Sequence, residues 1–361
     1  MTRTLHSLAF VPFIAGLVGC VPEFDDDATR IDEHRRVIAI QSAPAEVDLR
    51  LVTATRELTL GAVVGDLAGR GADNVQWTLC IDRKPLSELG PVSERCLASP
   101  SPGPEIAIEL GRGATVPATL PELACQLFGP ERPDPKPGEP AGRPVDPDPT
   151  GGFYQPVLAW LDGEVVVGGV RITCGLFNVS PSVSTDFTGR YQLNENPVIE
   201  RLELVAADGT VTPLEEGTEA SVSAGASYSV RAVFPACPSE PVCGDGICSS
   251  GETTSDAFPE LSLCPDDCTT PRGCGGSETY VVYDPETQKV ETRRETLIVS
   301  WFSTAGTFSS ERTGDTGALE GSRASSNGWT APSDGPARLW AVLRDDRGGV
   351  ASLQANLAVT N

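Results

Sequence analysis

Apolar side chains recur at every second residue, in short runs cut off by Gly, Pro and Asp. Near the end of the chain, Leu353, Ala355, Leu357 and Val359 alternate with Ser352, Gln354, Asn356 and Ala358. Tyr228, Val230, Ala232 and Phe234 alternate with Ser229, Arg231 and Val233. Leu58, Leu60, Ala62 and Val64 share one side, as do Val75, Trp77, Leu79 and Ile81, and Leu297, Val299 and Trp301. Val198, Leu202 and Leu204 line an early run of the second half. A strand points successive side chains to opposite faces, so each run buries one face of a sheet. Residues 155–162 and 164–174 flank Asp162-Gly163, a hairpin signal. Helical periodicity is nearly absent, and the chain is predicted to be all-β.

The pattern is used twice. Trp160 and Trp340 are each followed eight residues later by Gly-Gly-Val, at 168–170 and 348–350. Trp77 and Trp301 each lie inside an alternating strand that follows an earlier one. The layout resembles the immunoglobulin-like class, which buries a Trp on its third strand and closes with a hairpin. The resemblance implies two Ig-like β-sandwich domains, at 37–178 and 190–361 of the 361 residues. Neither copy has the Cys pair that bridges the sheets of antibody domains. The Trp residues within strands are read as core, where one ring buries about 150–250 Å². Trp329 follows Asn327-Gly328 in an apparent polar turn. It is the expected exposed ring, a candidate for stacking on a sugar with Tyr280 or Tyr283.

The first 20 residues, MTRTLHSLAFVPFIAGLVGC, carry one early positive charge and an apolar run from Leu8 to Leu17. That run is too short to span a bilayer. Its ending, Leu17-Val18-Gly19-Cys20, resembles the lipobox of bacterial lipoproteins. The resemblance implies a signal peptide at 1–19 and lipidation of Cys20, with acyl chains such as palmitate anchoring the protein in a membrane. Val21 in the next position implies sorting to the outer membrane. Residues 20–36 hold Glu23, Asp25, Asp26, Asp27, Asp32 and Glu33 and are expected to form an acidic, solvated tether.

With Cys20 set aside, ten of the 11 cysteines remain. An even number suits disulfides in an oxidising compartment. Cys80, Cys96, Cys125 and Cys174 fall in the first copy and allow three pairings. Pairing 80 with 96 and 125 with 174 would close two loops locally, but sequence alone does not choose. Between Cys125 and Cys174, residues 130–149 hold eight prolines, within a predicted loop at 129–150. Pro lacks the donor a sheet needs, so this is a surface spacer.

Cys237, Cys243, Cys248, Cys264, Cys268 and Cys274 crowd the insertion at 237–274. It is too poor in apolar residues to fold without staples. CGDGICSSGE and CPDDC resemble small cysteine-rich modules of envelope and secreted proteins from myxobacteria and their relatives. The resemblance implies a myxobacterial-type envelope lipoprotein. Asp245, Glu252, Asp256, Asp266 and Asp267 offer hard oxygens to calcium, though the EF-hand order is absent. Otherwise these carboxylates cap their own turns.

Fifty acids against 27 bases give a net charge of −23, which speaks against nucleic acid. The two histidines, His6 and His34, lie outside both predicted sandwiches. That removes Ser-His-Asp and Cys-His catalysis and His-ligated zinc chemistry. No phosphate loop is present: Gly65 to Gly71 lacks the following Lys. No cofactor is expected; calcium is the favoured candidate ion, and zinc on Cys243, Cys248, Cys264 and Cys268, whose spacing is near that of a finger, is disfavoured by the oxidising compartment. The expected function is non-enzymatic: a lipid-anchored envelope protein presenting Ig-like domains for protein interaction or adhesion, with an envelope protein or a glycan as partner. The alternatives are a glycan-binding module and, further off, a carboxylate-pair hydrolase.

Overall fold

Two β-sandwiches share one strand order in their larger or better-paired sheet. The computed structural model describes residues 29–32, 34–50, 55–83, 92–130, 148–235, 277–315 and 324–360. The signal segment, Cys20, the insertion at 237–274 with its candidate calcium ligands, and most of the Pro-rich loop lie outside the described residues.

In sandwich one the five-stranded sheet runs β2 (Glu46–Asp48), β8 (Glu164–Thr173), β7 (Gly152–Leu161), β4 (Gln76–Cys80), β5 (Ala107–Arg112). Its partner sheet is β1 (Arg36–Ala43), β3 (Glu57–Gly65), β6 (Thr115–Thr119). In sandwich two the matching sheet runs β11 (Glu219–Ser223), β20 (Val350–Thr360), β19 (Pro336–Arg344), β15 (Leu297–Ser303), β17 (Arg312–Asp315). Facing it is β10 (Val211–Leu214), β9 (Arg201–Val205), β12 (Ser227–Val233), β18 (Ala324–Thr330), β16 (Thr307–Phe308). Both matching sheets begin with a short parallel strand, β2 on β8 and β11 on β20. Both continue with an antiparallel hairpin and a Trp-bearing strand. This is the Ig-like architecture.

Alternation explains each core. Trp77 and Trp301 occupy the same place and are buried. Trp77 Nε1 donates to the Gly113 carbonyl at 2.9 Å and Trp301 Nε1 to Thr313 Oγ1 at 2.7 Å. A buried indole N–H needs such a partner. Val75, Leu79, Val157, Val170 and Ile172 complete the first core; Leu202, Val230, Leu339 and Leu357 belong to the second. The turn Asp162-Gly163 closes β7 onto β8, both residues at positive φ (52° and 92°).

Several expectations change. The Gly-Gly pairs are not equivalent: Gly168 and Gly169 lie within β8, whereas Gly348 sits in the β19–β20 turn at φ 98°. Val198 precedes β9 and is exposed. The solvated tether does not extend to residue 36. Ile31 is buried between the sandwiches, and residues 29–31 pair with the end of β15. Arg35 is buried and donates to both oxygens of Asp162, at 2.6 and 2.8 Å.

The four cysteines of sandwich one form Cys80–Cys96 and Cys125–Cys174. Cys96 lies in the short helix α1 (Glu94–Leu97) and Cys125 in α2 (Ala124–Leu127). The longer helix α3 (Pro181–Arg190) joins the sandwiches, with Pro181 at its first turn and Ser180 capping the Val183 N–H. It packs against a separate hairpin, β13 (Thr279–Asp284) and β14 (Lys289–Arg294), where Arg190 donates to Val290 O and Thr292 Oγ1.

Candidate functional site

The densest buried chemistry lies where the sandwiches meet. Glu46, at the start of β2, is 2% exposed. Its Oε1 accepts from Arg171 Nε (3.1 Å), Tyr191 OH (2.5 Å) and Thr173 Oγ1. Its Oε2 accepts the Asn194 N–H at 2.7 Å. The parallel register sets Glu46 beside Arg171, so the ion pair follows from strand pairing. Asn194 belongs to the linker, so a carboxylate of sandwich one holds the chain leading to sandwich two. A buried carboxylate is tolerable when its lone pairs are filled in this way.

The linker is then passed on. Asn194 Nδ2 donates to Asp345 Oδ2 at 3.2 Å. Asp345 also accepts the N–H groups of Arg347 (2.9 Å) and Gly349 (2.7 Å), closing the β19–β20 turn. Arg347 is 2% exposed. It donates to Glu295 Oε1 (2.6 Å), Glu278 Oε2 (2.8 Å) and the linker carbonyl of Gln192 (3.1 Å). Tyr154 OH of sandwich one donates to the Arg347 carbonyl at 3.0 Å. Asn196 Nδ2 donates to Ser42 O (2.7 Å), and its Oδ1 accepts the Val350 N–H (2.9 Å).

Burial sets the electrostatics. It pushes the Tyr191 phenol up to about 12, with the Glu46 charge adding to it. It pushes the Glu295 carboxyl up to about 8, against the pull of Arg347. Asp345 is raised by burial too. Arg171 stays charged, because Glu46 and the two tyrosines outweigh its own burial. The arrangement is a densely hydrogen-bonded polar knot, in which the buried Asn194 Oδ1 is left without a partner. The Glu295 side chain is 1% exposed.

An apolar patch continues the contact. Ile31, Ile38 and Ala39 pack on Trp340, Val342 and Val350. Arg344 reaches across to the Ile38 carbonyl at 2.8 Å, and Arg338 to that of Asp66 at 2.9 Å.

The knot also holds the root of the cysteine-rich insertion. Ser277 and Glu278 are the first described residues after it. Ser277 Oγ donates to the Glu295 carbonyl (2.8 Å), and the Glu278 N–H to Glu295 Oε2 (2.9 Å).

Of the residues singled out in the sequence, Trp329 is corrected. It is 1% exposed, inside the core of sandwich two, and its Nε1 donates to the Ala305 carbonyl at 3.3 Å. It cannot stack on a sugar. Asn327-Gly328 is not a turn but part of β18. Tyr280 OH donates to Asp346 at 3.3 Å, and the Arg347 guanidinium lies 5.0 Å from its ring centre. Tyr283 is three residues along β13 and so on the other face; the two rings form no shared platform. His34 is exposed. Among the described residues no group of three metal-ligating side chains occurs, and no helix is long and apolar enough to cross a membrane. The residues of the knot were not expected. Arg171, a lone charge in the apolar end of β8, was the available signal.

No protein-family model matches the chain, and no curated protein matches it. Among solved structures it is similar to the fibronectin(III)-like modules of CbhA from Clostridium thermocellum. That match has 8% identity and a TM-score of 0.18 over 91% of this chain and 94% of the other. Domains 4 and 5 of the S-layer protein SbsC match at 10% identity and 0.18, over 90% and 100%. The Yersinia pseudotuberculosis adhesin InvE matches at 9% and 0.17, over 88% and 58%. TM-scores this low carry neither a shared fold nor a shared function.

Proposed function

We propose that this is a non-enzymatic, lipid-anchored protein of the cell envelope that presents its Ig-like domains for protein interaction or adhesion. The observation that carries the reading is the knot. It ties sandwich one, the linker, sandwich two and the root of the insertion into one rigid body. A rigid support fixes where a contact module points, and it lowers the entropy lost on binding. The insertion at 237–274 is the contact module. Cys20 is the site of lipidation and the outer membrane the destination. The two disulfides fit such an oxidising compartment.

The test is cross-linking in cells of the lipidated protein, followed by mass spectrometry. One reproducible partner, cross-linked through 237–274 and lost when that segment is deleted, is the expected result. Undiminished capture by the deletion variant would overturn the assignment of the contact surface. A Cys20→Ser variant is expected to leave the membrane fraction; unchanged partition would refute the anchor.

A further inference from the structure

Beside the knot, a cleft of about 410 Å³ opens between β1 and the outer face of β15, β17 and β19. That volume lies in the range of small-molecule sites. Two arginines converge in it. Arg312 pairs with Ser300 across β15 and β17, and Arg344 pairs with Ile298 across β15 and β19. Directly paired residues share a face, as do Ile298 and Ser300, two apart on one strand. Arg344 Nη1 donates to Ser300 Oγ at 3.2 Å. Its guanidinium therefore leans over the residue that Arg312 flanks.

Neither arginine has a carboxylate within salt-bridge distance among the described residues. Arg344 uses two of its five N–H donors within the chain, on Ser300 and Ile38. Burial and the neighbouring Arg312 both lower its pKa. Two like charges held together in a cleft favour an anion between them. The planar guanidinium fork suits a carboxylate.

The rest of the lining narrows the ligand. Ile38, Ile298 and Phe302 form an apolar wall, and Glu311 and Asp346 stand on the rim. Asp345 also lines the cleft, with its oxygens already engaged by Asn194, Arg347 and Gly349. A ligand that satisfies all three features carries a carboxylate for the arginines, hydroxyls for the rim acids and a C–H face for the wall. We propose that the cleft between the sandwiches binds an acidic sugar of the uronate class through Arg312 and Arg344.

The test is calorimetric titration of the full chain with a glucuronate-containing disaccharide, its neutral glucose counterpart and inorganic phosphate. Arg312 is exposed on an edge strand, so Arg312→Ala leaves the fold intact. The uronate is expected to bind, and glucose and phosphate to bind at least about tenfold more weakly. Arg312→Ala is expected to weaken uronate binding about tenfold, the loss of one charge-assisted hydrogen bond. Arg344→Ala is expected to abolish it. Equal binding of glucose, equal binding of phosphate, or an unchanged affinity in Arg312→Ala would each overturn the proposal. So would binding seen only in an Asp25→Asn, Asp26→Asn, Asp27→Asn variant, which would assign the arginines to the chain's own acidic segment. Deleting 237–274 is expected to leave this binding unchanged, which separates it from the interaction reading.

Discussion

The outer faces of the two matching hairpins pose one problem and receive different solutions. In sandwich one, Leu158, Trp160, Val165 and Val167 point away from the core on β7 and β8. The segment carrying Val92, Cys96 and Ile106 covers them, stapled by Cys80–Cys96. In sandwich two, Trp340, Val342 and Val350 point outward in the same way, and sandwich one itself covers them. An apolar sheet face must be covered by something. Where a neighbouring domain does it, no staple is used. Where a short loop does it, a disulfide holds the loop in place. The difference teaches that Trp160 and Trp340 mark a covered outer face, while Trp77 and Trp301 mark the core.

Removing each cover should break the comparison in a different way. Trp340→Ala deletes the centre of the domain contact and should cost about 3–5 kcal/mol, the range for a buried Trp. Urea unfolding followed by probes in each sandwich should then split into two transitions, because the sandwiches are uncoupled. A single retained transition would show that the knot alone couples them. Cys80→Ser with Cys96→Ser should cost about 2–3 kcal/mol, given a closed loop of 16 residues, and should lower only the sandwich-one transition.

The smallest effect is in pH. In sandwich one, the hydrogen bond from Arg35 holds Asp162 below the usual carboxyl range. That contribution is present above the unfolded pKa and lost as pH falls through the folded one. At the Glu295 end of the knot the sign is reversed. Its carboxyl rises from 4.5 to about 8, so the folded state binds more protons across that window. Stability there is full below 4.5 and declines towards pH 8. Acidification from pH 8 to 5 should therefore strengthen the knot, and Glu295→Gln should flatten the profile. A Glu295→Gln profile identical to that of the parent chain would remove Glu295 as its source.

The sandwiches were legible because alternation and the placement of Trp77 and Trp301 are local signals. The hairpin at Asp162-Gly163 was legible for the same reason. Trp329 was misread because Asn327-Gly328 has the composition of a turn. Burial of Asn327, which donates to the Ser310 carbonyl at 2.6 Å, makes it a strand. β1 was missed because its register shifts between Val37 and Ala39, which breaks the period of two. The knot was out of reach for another reason: Glu46 and Arg171 lie 125 residues apart, and Glu295 and Arg347 52 apart. Charge partners at that distance are chosen by topology, which no local pattern encodes.

One small contact has a mechanical consequence. Thr29 and Ile31 are tied to Ser303 by two hydrogen bonds, Ile31 N–H to Ser303 O and Ser303 N–H to Thr29 O, both 2.8 Å. Ile31 also sits in the apolar patch shared by the two sandwiches. A pull on the chain ahead of Thr29 therefore does not reach sandwich one first and sandwich two only through the linker. Tension enters at the seam and divides between both.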